Sequence, residues 1–356
     1  MKNNLVVRDR SNSALPAREC CAPRHGRSYR IAARQGGFTL VELMISLVLF
    51  SFAVSGVLAV AVSMSQGFRE QRAAIAAETA ARVPLDFLVE VLRQASPAAP
   101  TGNIQDASTC TGSVLGVLNN QTGSGSGAPS GWDRLEVIYA AGAVVTSTLD
   151  PYDGTSNVVR VNDPSQLAAG DYVVLSNTAQ GHLFMISNIT GNQITLSSAC
   201  AGYVAPPGGK YTAGSLVIRA QHAFFSVGTV DGIPTLMMDP DATGSAAAEP
   251  LAEGIEDLQI VLGVDSNGDG KLGVESGVAA NDDEWQGNNI GDTALAGTIR
   301  AVRVTLIART TSGLIGNSAP FSRPAVEDHA AGSGGDKFRR RILRSTVEVR
   351  NMAGSP

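Results

Sequence analysis

Histidine and cysteine, which build many metal and nucleophile sites, are scarce: the 356-residue sequence has four of each. The histidines are scattered, and none lies at metal-ligand spacing from a cysteine or from another histidine. They are His25, His182, His222 and His329. The sequence also lacks a Gly-x-Ser-x-Gly elbow and a phosphate-cradling glycine loop. These absences argue against the common hydrolase and nucleotide-binding enzymes, and we expect no enzyme activity.

Aromatic residues make up only 5% of the sequence and charged residues only 17%, whereas glycine occurs 39 times. This composition favours a β-rich, loop-rich body over a tightly packed helical enzyme. The length allows two domains or one elaborated domain.

Charge is distributed unevenly along the chain. Residues 1–37 hold eight basic side chains against Asp9 and Glu19, a net charge of +6. Because the whole chain has a formal net charge of −5, the residues after Gly37 carry −11. An acidic body argues against nucleic acid as its partner. Because basic flanks stay cytoplasmic, the body is expected on the far side of the inner membrane, in the periplasm.

One long apolar run follows the basic head. Residues 38–64 would span about 40 Å as a helix, more than the roughly 30 Å of a bilayer's hydrocarbon core. Its single ionisable side chain is Glu42. A carboxylate inside a membrane helix costs free energy unless it has a partner, so Glu42 indicates a function.

The residues around Glu42 resemble the prepilin motif: Gly36-Gly37-Phe38-Thr39-Leu40-Val41-Glu42, preceded by basic residues and followed by the apolar helix. The resemblance implies that a prepilin peptidase removes residues 1–37 as a leader and methylates the new amino terminus at Phe38. It also implies that Glu42 pairs with the amino terminus of a neighbouring subunit, which would offset two desolvation costs.

The helical pattern continues beyond the membrane segment, over 65–96. Small and apolar residues recur every three or four positions and form one stripe. They are Ala77, Ala81, Leu85, Leu88, Leu92 and Ala95. Pro84 should kink or restart this helix, because it removes a backbone donor. Residues 97–131 are expected to be a loop or linker.

Short alternating segments with glycine turns predict two β-rich regions, 132–226 and 227–356. In the second, Val302, Val304 and Leu306 should face one way, and Arg303, Thr305 and Ile307 the other. Together with the prepilin-like helix, these regions predict an α+β pilin-like fold. A long N-terminal helix, half transmembrane, would pack on an antiparallel periplasmic domain.

Residues 251–259, the 264–265 loop and residues 339–351 resemble the C-terminal signature of PilW-like minor pilins. The resemblance implies a structural minor pilin that joins other minor and major pilins, primes pilus assembly and lies at or near the fibre tip. Two alternatives stay open. One is a J-type pseudopilin of a type II secretion system, and the other is a pilus-displayed adhesin or calcium-dependent binding module.

Three further features carry predictions. Cys20 and Cys21 would leave with the leader, so Cys110 and Cys200 should form a disulfide in the oxidising periplasm.

Asp265, Asn267 and Asp269 match the first half of a calcium loop, and ligands from Asn281, Asp282, Asp283 or Glu284 could complete it. An Asx/Gly turn explains the same residues without calcium.

The basic cluster at 337–344 is interpreted as a solvated strand edge rather than a DNA site.

Overall fold

The computed structural model describes residues 37–97, 103–106, 113–115, 117–120, 132–179, 181–197, 211–240, 247–265, 267–268, 272–273, 284–286, 298–313, 320–327 and 329–352. The chain divides into two units, Met1–Val60 and Ala61–Pro356. The described part of the first unit is the beginning of a helix. The second unit holds the rest of that helix and the β-strands.

Helix α1 (Leu40–Arg93) has 54 residues, which at 1.5 Å per residue is about 80 Å. Its first part has no buried side chains, and within the described residues α1 is the helix long and apolar enough to cross a membrane. All six residues of the predicted stripe are buried in the second unit. Pro84 lies inside α1, which continues past it without restarting.

The larger sheet is formed by eleven strands among the described residues. They are β1 (Asn103–Asp106), β2 (Ser113–Leu115), β3 (Val117–Asn120), β4 (Arg134–Ser147), β5 (Val158–Arg160), β6 (Tyr172–Ser176), β7 (Gly181–Thr190), β8 (Gln193–Ser197), β9 (Leu216–Val230), β10 (Ile233–Asp239) and β11 (Glu249–Glu253). Strand β9 organises the sheet, because it pairs antiparallel with β4, β6 and β10. Asp231 and Gly232 both have positive φ and form the tight hairpin from β9 to β10.

Strands β5 to β8 lie in an insertion between β4 and β9, which are themselves paired. The chain leaves and returns at neighbouring positions, because the Thr148 N–H donates to the Ser215 carbonyl (2.9 Å) and the Gly214 N–H to the Thr148 carbonyl (2.8 Å). The insertion has a hydrophobic core of its own, to which β9 adds Val217. That core is Tyr152, Val159, Val161, Leu167, Val173, Leu175, Phe184, Ile186, Ile194, Leu196, Tyr211 and Val217. The predicted boundary between residues 226 and 227 falls inside β9.

The second sheet has the order β13-β12-β14-β15. Its strands are β12 (Ile255–Val264), β13 (Trp285–Gln286), β14 (Ile299–Arg309) and β15 (Arg340–Glu348). The main core joins the stripe of α1 to inward residues of β4, β9, β10, β12, β14 and β15. The fold is therefore α+β, with a long apolar N-terminal helix and an antiparallel β-rich body, which confirms the predicted fold class.

Candidate functional site: the amino-terminal motif and its helix

The beginning of α1 has the spacing of a capping box, Thr39 followed three residues later by Glu42, and the structure shows the half of it that Thr39 makes. The Thr39 carbonyl accepts the first helical bond from the Leu43 N–H (3.1 Å), and its Oγ1 accepts the Glu42 N–H (3.2 Å). The Thr39 hydroxyl in turn lies 3.5 Å from the Glu42 carboxylate. A threonine followed three residues later by glutamate satisfies free amides at a helix start. The Ser/Thr-x-x-Glu spacing was present in the sequence, but the sequence-based prediction assigned no role to Thr39.

The predicted processing residues lie immediately before this cap. A methyl group added at Gly37 would meet no atom within 4 Å, so the chain itself accepts alanine there. Phe38 is 84% exposed, and the apolar side chains that follow it on α1 are exposed as well. An apolar surface of this length requires lipid or other apolar helices around it.

The far end of α1 is fixed to the β-rich body by polar contacts as well as by its buried stripe. The Ser96 N–H donates to the Ile138 carbonyl (2.8 Å), and the Asn351 side-chain amide donates to the Ala95 carbonyl (3.0 Å). Further back, Glu70 forms an ion pair with Arg339 at 2.7 Å. The last residues of the chain therefore help to hold the end of the helix.

The calcium-loop residues are organised by contacts inside the protein. Buried Asp265 accepts the Gly268 N–H through Oδ1 (2.8 Å), and its Oδ2 is paired with Arg300 (3.0 Å). Buried Glu284 accepts the N–H groups of Asn267 (3.3 Å) and Gly273 (2.8 Å). These bonds give the loop a turn structure of its own, in which a guanidinium group already balances Asp265.

Other predicted residues of this region cannot be placed. Asp269, Asn281, Asp282 and Asp283 lie outside the described residues. Across the part of the chain that the structure describes, no group of three or more His, Cys, Asp or Glu side chains could hold a metal ion. Calcium binding therefore remains a prediction. Cys110 and Cys200 also lie outside the described residues, so their disulfide remains a prediction as well.

The outer face of the second sheet carries a buried polar layer that the sequence did not indicate. A segment of residues 320–338, here called the strap, covers it; residue 328 lies outside the described part. Asp257 on β12 contacts Arg323 (2.8 Å) and His329 (2.7 Å) of the strap. Burial raises the pKa of the Asp257 carboxyl, and these contacts oppose the rise.

A second set of contacts holds the same strap to β14 and β15. Glu327, with a positive φ of 47°, pairs with Arg303 (2.9 Å) and Arg344 (2.8 Å) and accepts the Thr305 hydroxyl (2.8 Å). Removing one partner of a buried ion pair typically costs about 3–5 kcal/mol. The strap is thus held largely by charge, and its described contacts are structural.

Two of the described histidines lie in the larger sheet. His182 on β7 is buried, and its Nδ1 is hydrogen-bonded to the Tyr211 hydroxyl. Burial lowers the pKa of His182 to about 4. His222 on β9 contacts Glu136 on β4 at 2.7 Å. Each contact joins two separate segments of the chain, which is a structural role.

Two family models match the chain. Residues 224–351 match the Type IV Pilus-assembly protein W model, and residues 32–58 match the prokaryotic N-terminal methylation motif. No curated protein and no solved structure matches it significantly. The first match runs from the middle of β9 through the second sheet, and the second spans the capping box and the apolar beginning of α1. The chain is therefore a PilW-like, type IV pilin-like protein that is anchored in the inner membrane by α1 and enters the pilus.

Proposed function

We propose that this chain is a structural minor subunit of a type IV pilus that helps to prime assembly and lies at or near the fibre tip. The observation that best supports this proposal is that one helix, α1, begins at the methylation motif and ends in the core of the PilW-like region. A prepilin peptidase would remove residues 1–37. The partners would be other minor and major pilins.

Glu42 would act during the step from membrane to fibre. Cleavage after Gly37 leaves a cationic amine at Phe38, and an apolar fibre core disfavours an uncompensated charge. In the single subunit, Thr39 is the only described polar side chain that contacts the Glu42 carboxylate. The amine of a neighbouring subunit would supply the countercharge there. An unpaired buried charge typically costs about 3–5 kcal/mol, enough to prevent stable incorporation.

Two substitutions separate the charge of Glu42 from its capping role. Glu42→Gln keeps a capping-box residue but removes the charge, whereas Thr39→Val keeps the charge but removes the cap. We expect both proteins to insert and to be cleaved, but only the glutamine variant to be depleted from sheared fibres. Immunoblots of the membrane and fibre fractions measure this. Depletion of Thr39→Val with normal incorporation of Glu42→Gln would show that helix capping, not charge pairing, controls incorporation.

The position in the fibre can be tested with the same residue. A subunit at the very top has no neighbour above it, so its own Glu42 would be spared. Normal incorporation of Glu42→Ala, with failure of the equivalent change in the major subunit, would place the chain at the top. Deletion of the whole gene tests priming, since normal piliation without the protein contradicts that role. A secretion defect with intact pili would instead favour the J-type pseudopilin.

A second candidate function, adhesion, is favoured by the insertion between β4 and β9. Residues 148–215 lie outside both family matches and have their own core. Replacing 149–214 by a short Gly/Ser linker also removes the strands that pair with β1 and β9, so fibre incorporation of the variant is measured first. If incorporation is retained, an adhesive insertion predicts that surface binding is lost. Unchanged binding by piliated cells would exclude it.

A further inference from the structure

Strand β15 forms one edge of the second sheet. It pairs antiparallel with β14 over nine consecutive residue pairs, from Ala301↔Glu348 to Arg309↔Arg340. Among the described strands, none pairs with the other side of β15. A regular edge of this length can accept another strand.

The hydrogen bonds at its two ends show which main-chain groups point away from β14. The Val349 N–H donates to the Arg300 carbonyl (3.0 Å), and the Thr310 N–H donates to the Arg339 carbonyl (3.0 Å). Inward and outward groups alternate along an antiparallel strand. Because 339 and 349 point inward and the register is unbroken, Ile342, Arg344 and Thr346 direct their N–H and C=O groups outward.

Basic side chains border this edge. Arg341 is exposed, and Arg344 is half exposed although it also contacts Glu327. At the end of the strand, Arg93 of α1 and Arg350 line an open cleft of about 540 Å³, together with Thr346, Val347 and Glu348. Arg341, Arg344, Arg93 and Arg350 therefore flank the edge, and exposed Glu348 lies on it. Arg93 also pairs with Glu90 (3.8 Å), and Arg341 interacts electrostatically with Glu78 of α1.

These charges decide what the edge accepts. Antiparallel pairing with β15 of a second copy, centred on Arg344, would set Arg344 against Arg344, and like charges in opposing strands destabilise pairing. An extended segment with carboxylates at alternate positions would gain main-chain hydrogen bonds and charge complementarity together. The edge thus disfavours self-association and favours an acidic strand.

We propose that β15 is a docking edge for an extended acidic segment of another fibre subunit, which adds as a fifth strand to the second sheet. The proposal deepens the proposed function, on which its choice of partner rests. It assigns recognition to outward main-chain groups at Ile342, Arg344 and Thr346, with Arg341 and the arginines of the cleft selecting acidic side chains.

The first test uses the detergent-solubilised full-length protein and two peptides of seven residues, one of alternating glutamate and valine and one of alternating lysine and valine. Hydrogen exchange read by NMR should show fast outward amides at Ile342, Arg344 and Thr346 in the free protein. The acidic peptide should protect these amides at least tenfold, and the basic peptide should not. Absence of protection, or equal protection by both peptides, overturns the proposal.

The second test changes the edge without touching the β14–β15 ladder. Thr346→Pro removes one outward N–H, and Thr346→Val is the matched control that keeps it. Loss of one main-chain hydrogen bond should weaken acidic-peptide binding about fivefold or more, and the valine variant should bind like the original. Arg341→Glu should weaken the acidic peptide and strengthen the basic one. Unchanged thermal melting of each variant confirms that the sheet is intact, and unchanged binding by Thr346→Pro contradicts strand addition.

Cellular assays separate this inference from the proposed function. If gene deletion abolishes piliation while Thr346→Pro and Arg341→Glu assemble normally, the chain is a priming subunit but β15 is not its docking edge. If gene deletion leaves piliation intact, the priming role fails, and peptide protection still tests the edge by itself.

Discussion

His182 gives the fold a pH dependence that can be isolated from other acid effects. The side chain is buried on β7, beside Phe184 and Tyr211. Burial disfavours the imidazolium form and lowers the pKa of His182 from 6.5 to about 4 in the folded protein. The unfolded chain would protonate this residue at its ordinary pKa.

The sign and size of the effect follow from this difference. Between about pH 6.5 and pH 4 the unfolded state binds a proton that the folded state does not, so stability falls as the pH falls. Linkage gives a loss of about 2 kcal/mol between pH 7 and pH 5 from this residue alone. The stabilising contribution is fully present above the ordinary pKa of histidine.

Native-state hydrogen exchange of amides in β6 and β7, corrected for intrinsic rates, would measure the opening free energy at pH 7 and pH 5. His182→Gln should remove about 2 kcal/mol of the pH dependence, whatever it does to overall stability. Tyr211→Phe should retain the dependence, because burial and not the hydroxyl is its cause. The reasoning is refuted if the glutamine variant keeps the original slope.

Three further predictions concern processing, oxidation and calcium. Gly37→Ala should block leader removal, because the resemblance to the prepilin motif implies that the peptidase needs glycine before the cut. The chain itself has space for the methyl group, and intact-mass analysis would detect the retained leader. Cys110 and Cys200 should form a disulfide worth roughly 4–5 kcal/mol on the chain-entropy model, and two free thiols in non-reducing mass spectrometry would disprove it. Calcium at 100 times its dissociation constant should raise stability by about 2.7 kcal/mol, and the rise should disappear in Asp265→Ala and Asp269→Ala. A midpoint unaffected by calcium would leave the loop as a turn.

The helix and the core strands were predictable because their patterns are local. The stripe from Ala77 to Ala95 has helical spacing, and the structure buries every member. The alternation of Val302, Val304 and Leu306 placed them on the core side of β14, where the structure has them. Binary periodicity carries this information without any knowledge of the partner elements.

The far face of β14 was less predictable. Arg303 and Thr305 were expected on the face away from the core, and they lie there, but they are buried beneath the strap. Their cover comes from an irregular segment about 20 residues further along the chain, and irregular segments have no periodicity to detect. The pairing of Asp265 with Arg300 is equally nonlocal, so the motif alone could not distinguish a calcium loop from a turn.

The boundary between the two β-rich regions was hidden for another reason. Strand β9 serves both cores, since Val217 belongs to the core of the insertion and Phe225 to the main core. Because β9 is one continuous strand, the sequence has no run of linker residues at the point where β9 passes from one core to the other. Turn residues mark the ends of strands, not transitions within them.

The adjacent entry and exit of the insertion have an evolutionary consequence. Since the bonds between Thr148 and Ser215 close the insertion at its base, the parts of it outside β6 and β7 can diverge in length and content while β4 and β9 stay paired. Strands β6 and β7 are more constrained, because they pair with β9 and β1. The paired strands β4 and β9 and the insertion between them can then evolve under different constraints. Contacts with neighbouring subunits in a fibre would constrain the strands, and contacts outside the cell would constrain the insertion. The same two positions offer a graft point at which a foreign domain with close termini could be carried on the fibre.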